Sequence, residues 1–526
     1  MLFLVALLIL GSFLIFFYAT DTLDSSDNAS EESYGIMIDA GSSGSRIMIY
    51  KWPVNKGHGF PILHTSDEFQ FKQEPGLSSF ASDMDALDEY LKSLFDFASN
   101  VIPEKFHSIT PVYLYATAGM RLLSLENQTR LLQKSCHFVK KHYLFPIENC
   151  FNHFKVISGE MEGVFGWLAV NYLRGSLISN STYEEISTVG FLDMGGASAQ
   201  IAFEPTKSMA SKHKEDLTTI ELVSNDGIIT TFHVFVTTWL GFGANQARSR
   251  YLEKLLQLNS LEASQITDAC LPKGFSQKVD NTVLVGSGDY DTCSKTMVGL
   301  LNKDKMCPDL PCYFDGIHIP LLSMKNHYFL GVSEFWYTSH DVFELGGSYD
   351  ASQMRKATRE FCNSNWTDIN EDYLAGNYPN VNSVDRLESQ CFKSTWIMTI
   401  LHEGFGLPQE ADGKTTKSTF ESVNEIQNVG VSWTLGAMLL RISDSQLANI
   451  RSSGRMEGVS IIVCFFLILI LAIAFYFSVA NKSYARVRKL SKPSILRENS
   501  TETELPLFLR RSNSQLRREN VSININ

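Results

Sequence analysis

Two stretches of this sequence place a single aspartate at the end of an apolar run, directly before a turn of glycine and serine. They are GIMIDAGSSGSRIMIYKW at residues 35–52, with Asp39, and VGFLDMGGASAQIAFE at residues 189–204, with Asp193. Apolar runs around a small-residue turn are typical of β-hairpins. One copy alone is weak evidence of a ligand site and is more typical of an ordinary glycine and serine turn. Because the second copy repeats the aspartate position, we predict a duplicated fold in which two loops face one cleft.

The residue types of these loops predict phosphate chemistry. Hydrolysis of a phosphoanhydride needs an in-line water, neutralisation of charge and a group that orients and deprotonates the water. Asp39 and Asp193, at facing strand ends, are suited to hold a hydrated Mg²⁺ or Ca²⁺ between them. The turns offer N–H or O–H donors to phosphate oxygens. The predicted donors are Ser42, Ser43, Gly44, Gly195, Gly196 and Ala197.

The segments around the two loops predict the elements that position them. Residues 84–102 have helical periodicity, and TPVYLYATAGMRLL at residues 110–123 predicts a strand, a loop and the start of a helix. ISGEMEGVFGWLAVNYL at residues 157–173 predicts a strand end that enters an apolar helix, and residues 235–256 pass from a strand through a glycine-rich turn into a helix. This alternation predicts an α/β architecture with helices packed on a mixed sheet.

Both ends of the 526-residue chain carry apolar segments long enough to approach or span a membrane. The first, residues 2–19, has no basic region before it and no small-residue cleavage site, so an uncleaved anchor is favoured over a signal peptide. The second, residues 458–480, is followed by a basic tail, which the positive-inside rule assigns to the cytosol. We therefore predict a luminal body between two anchors, with both termini cytosolic.

Charge and cysteines support a luminal body. From residue 481 onward ten Lys/Arg oppose four Asp/Glu, so the tail carries a net charge of +6. The whole chain carries −12, so the remainder carries −18. This acidic body argues against binding of nucleic acid. An even number of cysteines in an oxidising lumen predicts disulfides. The eight cysteines between the spans are Cys136, Cys150, Cys270, Cys293, Cys307, Cys312, Cys362 and Cys391. Glycosylation sequons predicted to face the lumen stand at Asn28, Asn127, Asn180 and Asn365.

Five motifs, in this order along residues 35–440, resemble the nucleoside triphosphate diphosphohydrolase (apyrase) family: IDAGSSGSR, ATAGMRLL, ISGEMEGVFGW, FLDMGGASAQ and VSWTLGAML. TTWLGFGANQAR and SEFWYTSHDVFELGG are most similar to its Golgi and intracellular nucleoside diphosphatase branch. The resemblance implies a two-lobed, duplicated actin/hsp70/sugar-kinase-like (ribonuclease-H-like) fold, here between two transmembrane helices. The predicted organisation is an N-terminal membrane anchor at 1–20, an acidic spacer at 21–32, lobe I at 33–158, lobe II at 159–420, a return helix to lobe I at 421–450, a transmembrane helix at 458–480 and a disordered basic cytosolic tail at 481–526.

The same resemblance implies roles for single residues. Glu162 matches the family's general base, with Glu160 as its rival, and Ser198 and Gln200 match residues that align the water. Thr117 matches a residue near the metal. Arg121 either counters phosphate charge or forms a structural salt bridge.

Other residues match family positions outside the phosphate site. Trp336 and Tyr337 lie where the family stacks an aromatic ring on the base, with core packing as the alternative. Arg248 is a candidate nucleotide contact or a solvated helix cation, and Trp167 and Trp433 are predicted to be core. The spacing of the twelve histidines predicts no zinc site.

The function that these motifs imply is luminal, Ca²⁺- or Mg²⁺-dependent hydrolysis of nucleoside di- and triphosphates to the monophosphate. At a Golgi membrane it would remove UDP and GDP and so support glycosylation. The alternatives are a broad-specificity apyrase of endolysosomal or cell-surface membranes, a kinase or chaperone ATPase of the same superfamily, and a non-catalytic nucleotide receptor. A kinase needs an acceptor site and a chaperone a peptide-binding domain, whereas a receptor is expected to lack the base or an aspartate. Oligomeric state is not predicted.

Overall fold

The computed structural model describes residues 32–54, 58–177, 188–259, 264–320, 327–408 and 419–490, with the backbone alone given for residues 452–464 and 483–490. The segment predicted as the first anchor, the acidic spacer up to residue 31, the C-terminal tail and the sequons at Asn28 and Asn180 lie outside the described residues. The main compact body ends at Gly454, and the residues from Arg455 onward belong to a separate unit.

The first sheet has five strands in the order β3-β2-β1-β4-β5. The strands are β1 Glu32–Ala40, β2 Ser45–Pro53, β3 Gln70–Gln73, β4 Val112–Ala116 and β5 Phe154–Val156. β1 and β2 form an antiparallel hairpin, whereas β4 runs parallel to β1 and β5 runs parallel to β4. The sheet is therefore mixed, as the alternation of strands and helices predicts.

The second sheet has seven strands in the order β14-β15-β13-β6-β7-β9-β8. Its strands are β6 Gly190–Met194, β7 Ser198–Phe203, β8 Leu217–Val223, β9 Ile229–Leu240, β13 Phe329–Ser333, β14 Gly347–Ser348 and β15 Phe420–Ser422. A three-stranded sheet is formed by β10 Gln265–Asp268, β11 Ser276–Val279 and β12 Thr282–Gly286, and a two-stranded ladder by β16 Glu425–Ile426 and β17 Val429–Gly430.

The two predicted hairpins share one register. Asp39 stands opposite Arg46 in the β1–β2 ladder, and Asp193 stands opposite Gln200 in the β6–β7 ladder. In each hairpin the aspartate is followed by one more paired residue before the turn. The duplication predicted from the sequence is therefore also a duplication of backbone pairing.

The helices cover the sheets and connect them. In chain order they are α1 Leu87–Val101, α2 Glu104–His107, α3 Ala118–Arg121, α4 Leu125–His142, α5 Cys150–His153, α6 Gly159–Leu173, α7 Lys207–Lys212, α8 Ala244–Leu258, α9 Tyr290–Val298, α10 Glu334–Trp336, α11 Ala351–Asn363, α12 Trp366–Leu374, α13 Val384–Glu388, α14 Gln390–Met398 and α15 Trp433–Leu490. Short 3₁₀ segments lie at Asp67–Phe69, Leu77–Ala81, Lys214–Asp216 and Gly299–Leu301, and π-helical turns at Tyr337–Asp341 and Thr399–Gly404.

Three buried apolar clusters hold these layers together. One lies on the first sheet under α1 and α4, a second contains residues of both sheets, α6 and the start of α15, and a third packs helices of the second half on the other face of the second sheet. Trp167 is fully buried in the second cluster, as predicted for a core residue.

Helix α6 packs unusually closely on the second sheet because glycine faces the strands. A Cβ on Gly163 would lie 2.7 Å from a methyl of Val236, and a Cβ on Gly166 would lie 2.1 Å from the ring of Phe191. Contacts under 3.0 Å essentially do not occur for real Cβ atoms. The glycines of the GEMEGVFG segment therefore let the helix lie against the sheet, which places Glu162 beside the end of β6.

The predicted return helix begins later than expected. Residues 421–432 form β-structure and turns, and the helix begins at Trp433. Gln427 and Asn428 have φ of 53° and 62°, as the tight turn between β16 and β17 requires. Helix α15 then continues to Leu490, and its window Phe465–Lys482, with a mean hydropathy of 2.0, is long and apolar enough to cross a membrane. This is the one such helix among the described residues.

All eight cysteines between the predicted spans form disulfides, which confirms that prediction. The pairs are Cys136–Cys150, Cys270–Cys293, Cys307–Cys312 and Cys362–Cys391. Cys307 and Cys312 close the small CPDLPC loop.

Candidate active site

The two hairpin turns face each other across one cleft. A Cβ on Gly196 would lie only 2.9 Å from the Ser42 hydroxyl, so the second turn approaches the first closely. The cleft holds a cavity of about 220 Å³ that both turns line. The first turn and the strand end beside it contribute Gly41, Ser42, Ser43, Gly44 and Ser45, and the second turn and its strand ends contribute Met194, Gly195, Gly196, Ala197 and Ser198. The structure thus brings all six predicted phosphate donors together.

Two glycines from other segments allow the main chain to pack closely against the first turn. A Cβ on Gly119, at the start of α3, would lie 2.7 Å from the Cα of Ser42, and a Cβ on Gly76 would lie 2.6 Å from the carbonyl oxygens of Gly41 and Ser42. Gly119 belongs to the ATAGMRLL motif, whereas nothing in the sequence singled out Gly76. Both positions allow main chain to pack against the turn and fix its backbone.

Asp39 and Asp193 both line this cavity, and each has an unsatisfied oxygen. The Oδ1 atom of each carboxylate is buried without a hydrogen-bond partner among the described residues. Burial raises the pKa of Asp39 to about 7; Arg46 opposes the rise and the negative charge of Asp193 adds to it. Burial also raises the pKa of Asp193, opposed by a hydrogen bond from Ser333. Two buried acceptors without donors are strongly unfavourable unless a cation or proton joins them.

This pair fits a divalent cation. Carboxylate oxygens are the ligands that Ca²⁺ and Mg²⁺ prefer, and the two unpartnered Oδ1 atoms belong to the carboxylates that the sequence predicts as metal ligands. Thr117, buried at the start of α3, lines the same cavity. The predicted metal residues therefore meet at one place.

Two residues at the carboxylates were not predicted to be functional. Ser333, at the end of β13, has a φ of 58° and its hydroxyl donates a hydrogen bond to Asp193. A non-glycine residue at positive φ is strained, and such residues cluster at functional sites. Trp433 is buried as predicted for core, but it also lines the cavity and its indole N–H donates to Asp39.

Glu162 is the third carboxylate of the cavity. It lies in the first turn of α6 and is 8% exposed, while Glu160 is exposed and is not among the cavity-lining residues that the structure describes. Burial raises the pKa of Glu162 to about 8, with Arg121 opposing the rise and the two aspartates adding to it. This environment favours Glu162 over its rival.

Arg121 and Gln200 both contact the carboxylate of Glu162. The Arg121 guanidinium forms an ion pair with Glu162 Oε2. Gln200 Nε2 donates to the same oxygen at 3.1 Å and to Ser198 Oγ at 2.7 Å. Neither Arg121 nor Gln200 is among the described residues that line the cavity. Of the two roles weighed for Arg121, the structure shows the salt bridge.

The two aromatic residues proposed for base binding differ in environment. Tyr337 begins a π-helical turn and lines the cavity, and the guanidinium of Arg386 lies 5.1 Å from its ring centroid. Trp336 stacks on His340 at 4.1 Å and is not among the described lining residues. Tyr337 is therefore the one placed to contact a ligand.

Arg248 lies elsewhere. Its guanidinium pairs with the buried Asp268 at 2.6 Å and lies over the rings of Tyr251 and Phe392. It is neither a described lining residue of the cavity nor a solvated cation. Asp268, 20 residues further along the chain and on strand β10, neutralises it, and no pattern within the helix of Arg248 indicates this pairing.

The chain is similar in sequence to a family of nucleoside phosphatases and to named relatives. Residues 25–455 match the model of the GDA1/CD39 (nucleoside phosphatase) family. The chain is 42% identical over 455 residues to the Golgi apyrase of Saccharomyces cerevisiae, covering 80% of this chain and 71% of that protein. It is 34% identical over 435 residues to the nucleoside-diphosphatase mig-23 of Caenorhabditis elegans, covering 78% and 77% of the two chains.

The fold is shared with a solved structure of nucleoside triphosphate hydrolases from Neospora caninum. The TM-score is 0.53 at 14% identity, over 82% of this chain and 95% of that one. This likeness supports the predicted actin-like α/β fold with mixed sheets. The family match confirms the resemblance seen in the five motifs. The chain belongs to the GDA1/CD39 (nucleoside phosphatase) family.

Proposed function

We propose that this protein hydrolyses nucleoside diphosphates, and triphosphates to a variable degree, to the monophosphate and inorganic phosphate in a Ca²⁺- or Mg²⁺-dependent reaction. The main observation behind the proposal is that Asp39, Asp193 and Glu162 line one cavity, together with the two glycine-rich turns predicted to bind phosphate. The names of the yeast and worm relatives, a Golgi apyrase and a nucleoside-diphosphatase, support the substrate class.

The aspartates, the two turns and Ser198 have separate roles in the proposed reaction. Asp39 and Asp193, with Thr117 nearby, would hold the divalent cation, which when bound neutralises phosphate charge. The N–H and hydroxyl groups of the turns bind phosphate oxygens and orient the terminal phosphoryl group. Ser198, whose Oγ accepts from Gln200, lines the same cavity as Glu162 and helps to align the water.

Glu162 acts as general base. It accepts a proton from the water while the water oxygen bonds to the terminal phosphorus, and the bond from that phosphorus to the bridging oxygen breaks. Arg121 and Gln200 keep the carboxylate oriented, and Arg121 also favours its ionised form. The products are the monophosphate and inorganic phosphate.

We place this activity in the lumen of the Golgi, with both termini in the cytosol. The support is the yeast relative's name, the four disulfides, which require an oxidising compartment, and the apolar window of α15 followed by basic residues. In that compartment glycosyl transfer from nucleotide sugars releases UDP and GDP, so their removal would support glycosylation. Asn127 and Asn365 would carry glycans there.

The test is phosphate release by the purified full-length chain with UDP, GDP, ADP, UTP and ATP. We expect the highest kcat/KM for UDP or GDP. A clear preference for ATP over both would favour a broad-specificity apyrase, and absence of hydrolysis with measurable nucleotide binding would favour a receptor.

A further inference from the structure

A second cluster of metal-ligating side chains lies away from the proposed active site, at the edge of the second sheet. Helix α7 ends at Lys212 with His213 as its C-cap, and a 3₁₀ turn then leads through Asp216 into the edge strand β8. His318 comes from the segment after the Cys307–Cys312 loop, where it pairs with Cys312 in an isolated β-bridge. None of the three is among the described residues lining the cavity between the hairpin turns.

The three side chains meet at close range. His213 Nδ1 lies 3.3 Å and His318 Nε2 lies 3.7 Å from the same oxygen, Asp216 Oδ2. One ligand atom from each residue lies within 4.8 Å of the others. Among the residues that the structure describes, this is the one group of three or more histidine, cysteine, aspartate or glutamate side chains that lie this close together. Ligands about 2.1 Å from a tetrahedral ion are ~3.4 Å apart, and the two histidine–aspartate separations of 3.3 and 3.7 Å are close to that value.

His318 is prepared to donate a lone pair. Its Nδ1 lies 3.0 Å from the carbonyl oxygen of Asp309. A carbonyl only accepts, so Nδ1 carries the hydrogen, and the tautomer with that hydrogen has its lone pair on Nε2. That Nε2 is buried, without a hydrogen-bond partner among the described residues, and faces Asp216. Metal-bound imidazoles commonly have their other nitrogen held in this way.

We propose that His213, Asp216 and His318 bind a first-row transition-metal dication, with Zn²⁺ as the representative ion. Two imidazoles and one carboxylate suit such an ion far better than Ca²⁺ or Mg²⁺. The site has a structural role, because the bound ion ties the segment that follows the CPDLPC loop to the edge strand of the second sheet. Its three ligands come from two segments far apart in the sequence, which is why histidine spacing along the chain predicts no zinc site.

The experiment measures Zn²⁺ binding by calorimetry on the chelator-stripped, full-length protein in detergent, with millimolar Ca²⁺ present to occupy the carboxylate pair. We expect wild type to bind one more equivalent of Zn²⁺ than His318→Gln or His213→Gln, and Zn²⁺ to raise the melting temperature of wild type but not of these variants. Co²⁺ should give a ligand-field absorption spectrum that the same variants lack.

The matched control is His58→Gln. His58 also lies near an aspartate, 3.8 Å from Asp226 Oδ2, but its side chain is 98% exposed, and among the described residues it belongs to no group of three metal-ligating side chains. It should keep full Zn²⁺ binding, as should Asp39→Asn, which removes a carboxylate of the other site. Ca²⁺-dependent phosphate release by His318→Gln would show that the variant is folded, and Asp216→Asn provides a third variant of the site. Equal Zn²⁺ stoichiometry in wild type and all three variants, or no Zn²⁺ binding by wild type, would show a histidine–aspartate ion-pair cluster instead and overturn the proposal.

Discussion

Gln200 donates a hydrogen bond from Nε2 to Glu162 Oε2 at 3.1 Å, while its backbone stands opposite Asp193 in the β6–β7 ladder. One residue therefore couples a predicted metal-binding strand to the helix that carries the predicted base. Arg121 reaches the same Glu162 oxygen from α3. The position of Glu162 is thus set by both halves of the duplicated fold.

Replacing Glu162 with Gln should lower kcat about 10²–10⁴-fold, because the amide keeps the size of the side chain but cannot accept the proton. Nucleotide affinity should change little, since Glu162 acts on the water. Phosphate release and equilibrium binding of a nucleotide, measured on the same preparation, separate the two effects. Glu160→Gln is the matched control: it is two residues away on the exposed face of α6 and should retain activity. Near-normal turnover in Glu162→Gln would contradict the assignment.

Replacing Arg121 with Met should move the acidic limb of the pH profile of kcat to higher pH. The base must be ionised, and Arg121 lowers the pKa of Glu162 from the value that burial alone would give. Without that positive charge the carboxylate holds its proton to a higher pH. Arg130→Met, on the exposed face of α4, is the control and should leave the limb in place. An unchanged limb with a raised KM would instead indicate that Arg121 contacts phosphate.

Removing the divalent cation should abolish hydrolysis and make stability depend on pH in a defined direction. The folded pKa of Asp39, about 7, lies above its ordinary value of 3.8. A raised carboxylate pKa contributes stability that is present below the ordinary pKa and is lost as pH rises through the folded pKa. The melting temperature of chelated protein should therefore fall from about pH 5 to about pH 8, and Ca²⁺ should restore most of it at the higher pH.

Asp39→Asn supplies the control for that measurement. Without the buried carboxylate, the chelated variant should melt higher than chelated wild type at about pH 8, and Ca²⁺ should stabilise it much less. Hydrolysis by wild type that persists after exhaustive chelation would contradict the metal-dependent mechanism.

The sequence predicted those parts of the fold that depend on local pattern. Both hairpins, the strand–turn–helix segments and α6 follow from apolar periodicity and from glycine and serine in turns, and the structure confirms them. Parts that depend on contacts between distant segments were not predictable. The return helix was expected from residue 421, but the turn at Gln427 and Asn428 and the pairing of β15 with β13 give strands there instead.

The candidate site divides in the same way. Asp39, Asp193 and Glu162 were identified because each lies in a motif with a recognisable local pattern. Ser333 and Trp433 reach the two aspartates from β13 and α15, and no local pattern marks either of them as a partner of a carboxylate. Their roles become visible only when the fold brings four separate segments together.

The topology proposal predicts the outcome of protease treatment of sealed Golgi or microsomal vesicles. The basic tail after residue 480 should be removed, while the body with its four disulfides should be protected until detergent is added. Enzymatic removal of N-glycans should change the mobility of wild type and change it less in Asn365→Gln. Asn499 and Asn520 stand in sequons of the tail, so a glycan at either would place the tail in the lumen and contradict the proposed orientation.

Replacing Tyr337 with Ala should weaken recognition of the nucleoside without impairing the phosphate chemistry. Tyr337 lines the cavity, and its ring offers an aromatic surface for stacking on a base, an interaction worth about 1–3 kcal/mol per base, whereas the indole of the other lining aromatic, Trp433, is hydrogen-bonded to Asp39. We expect KM for UDP and GDP to rise roughly 10-fold, which is ~1.4 kcal/mol, with kcat reduced far less. Hydrolysis of inorganic tripolyphosphate, which has no base, should be unchanged. Because stacking discriminates weakly between bases, UDP and GDP should be affected to a similar extent.

Trp336→Leu is the control: the ring of Trp336 stacks on His340 outside the described lining of the cavity, so KM should stay near that of wild type. A Tyr337→Ala variant that loses tripolyphosphate and nucleotide hydrolysis equally would assign Tyr337 to holding the phosphate site, and an unchanged KM would place the base on another surface.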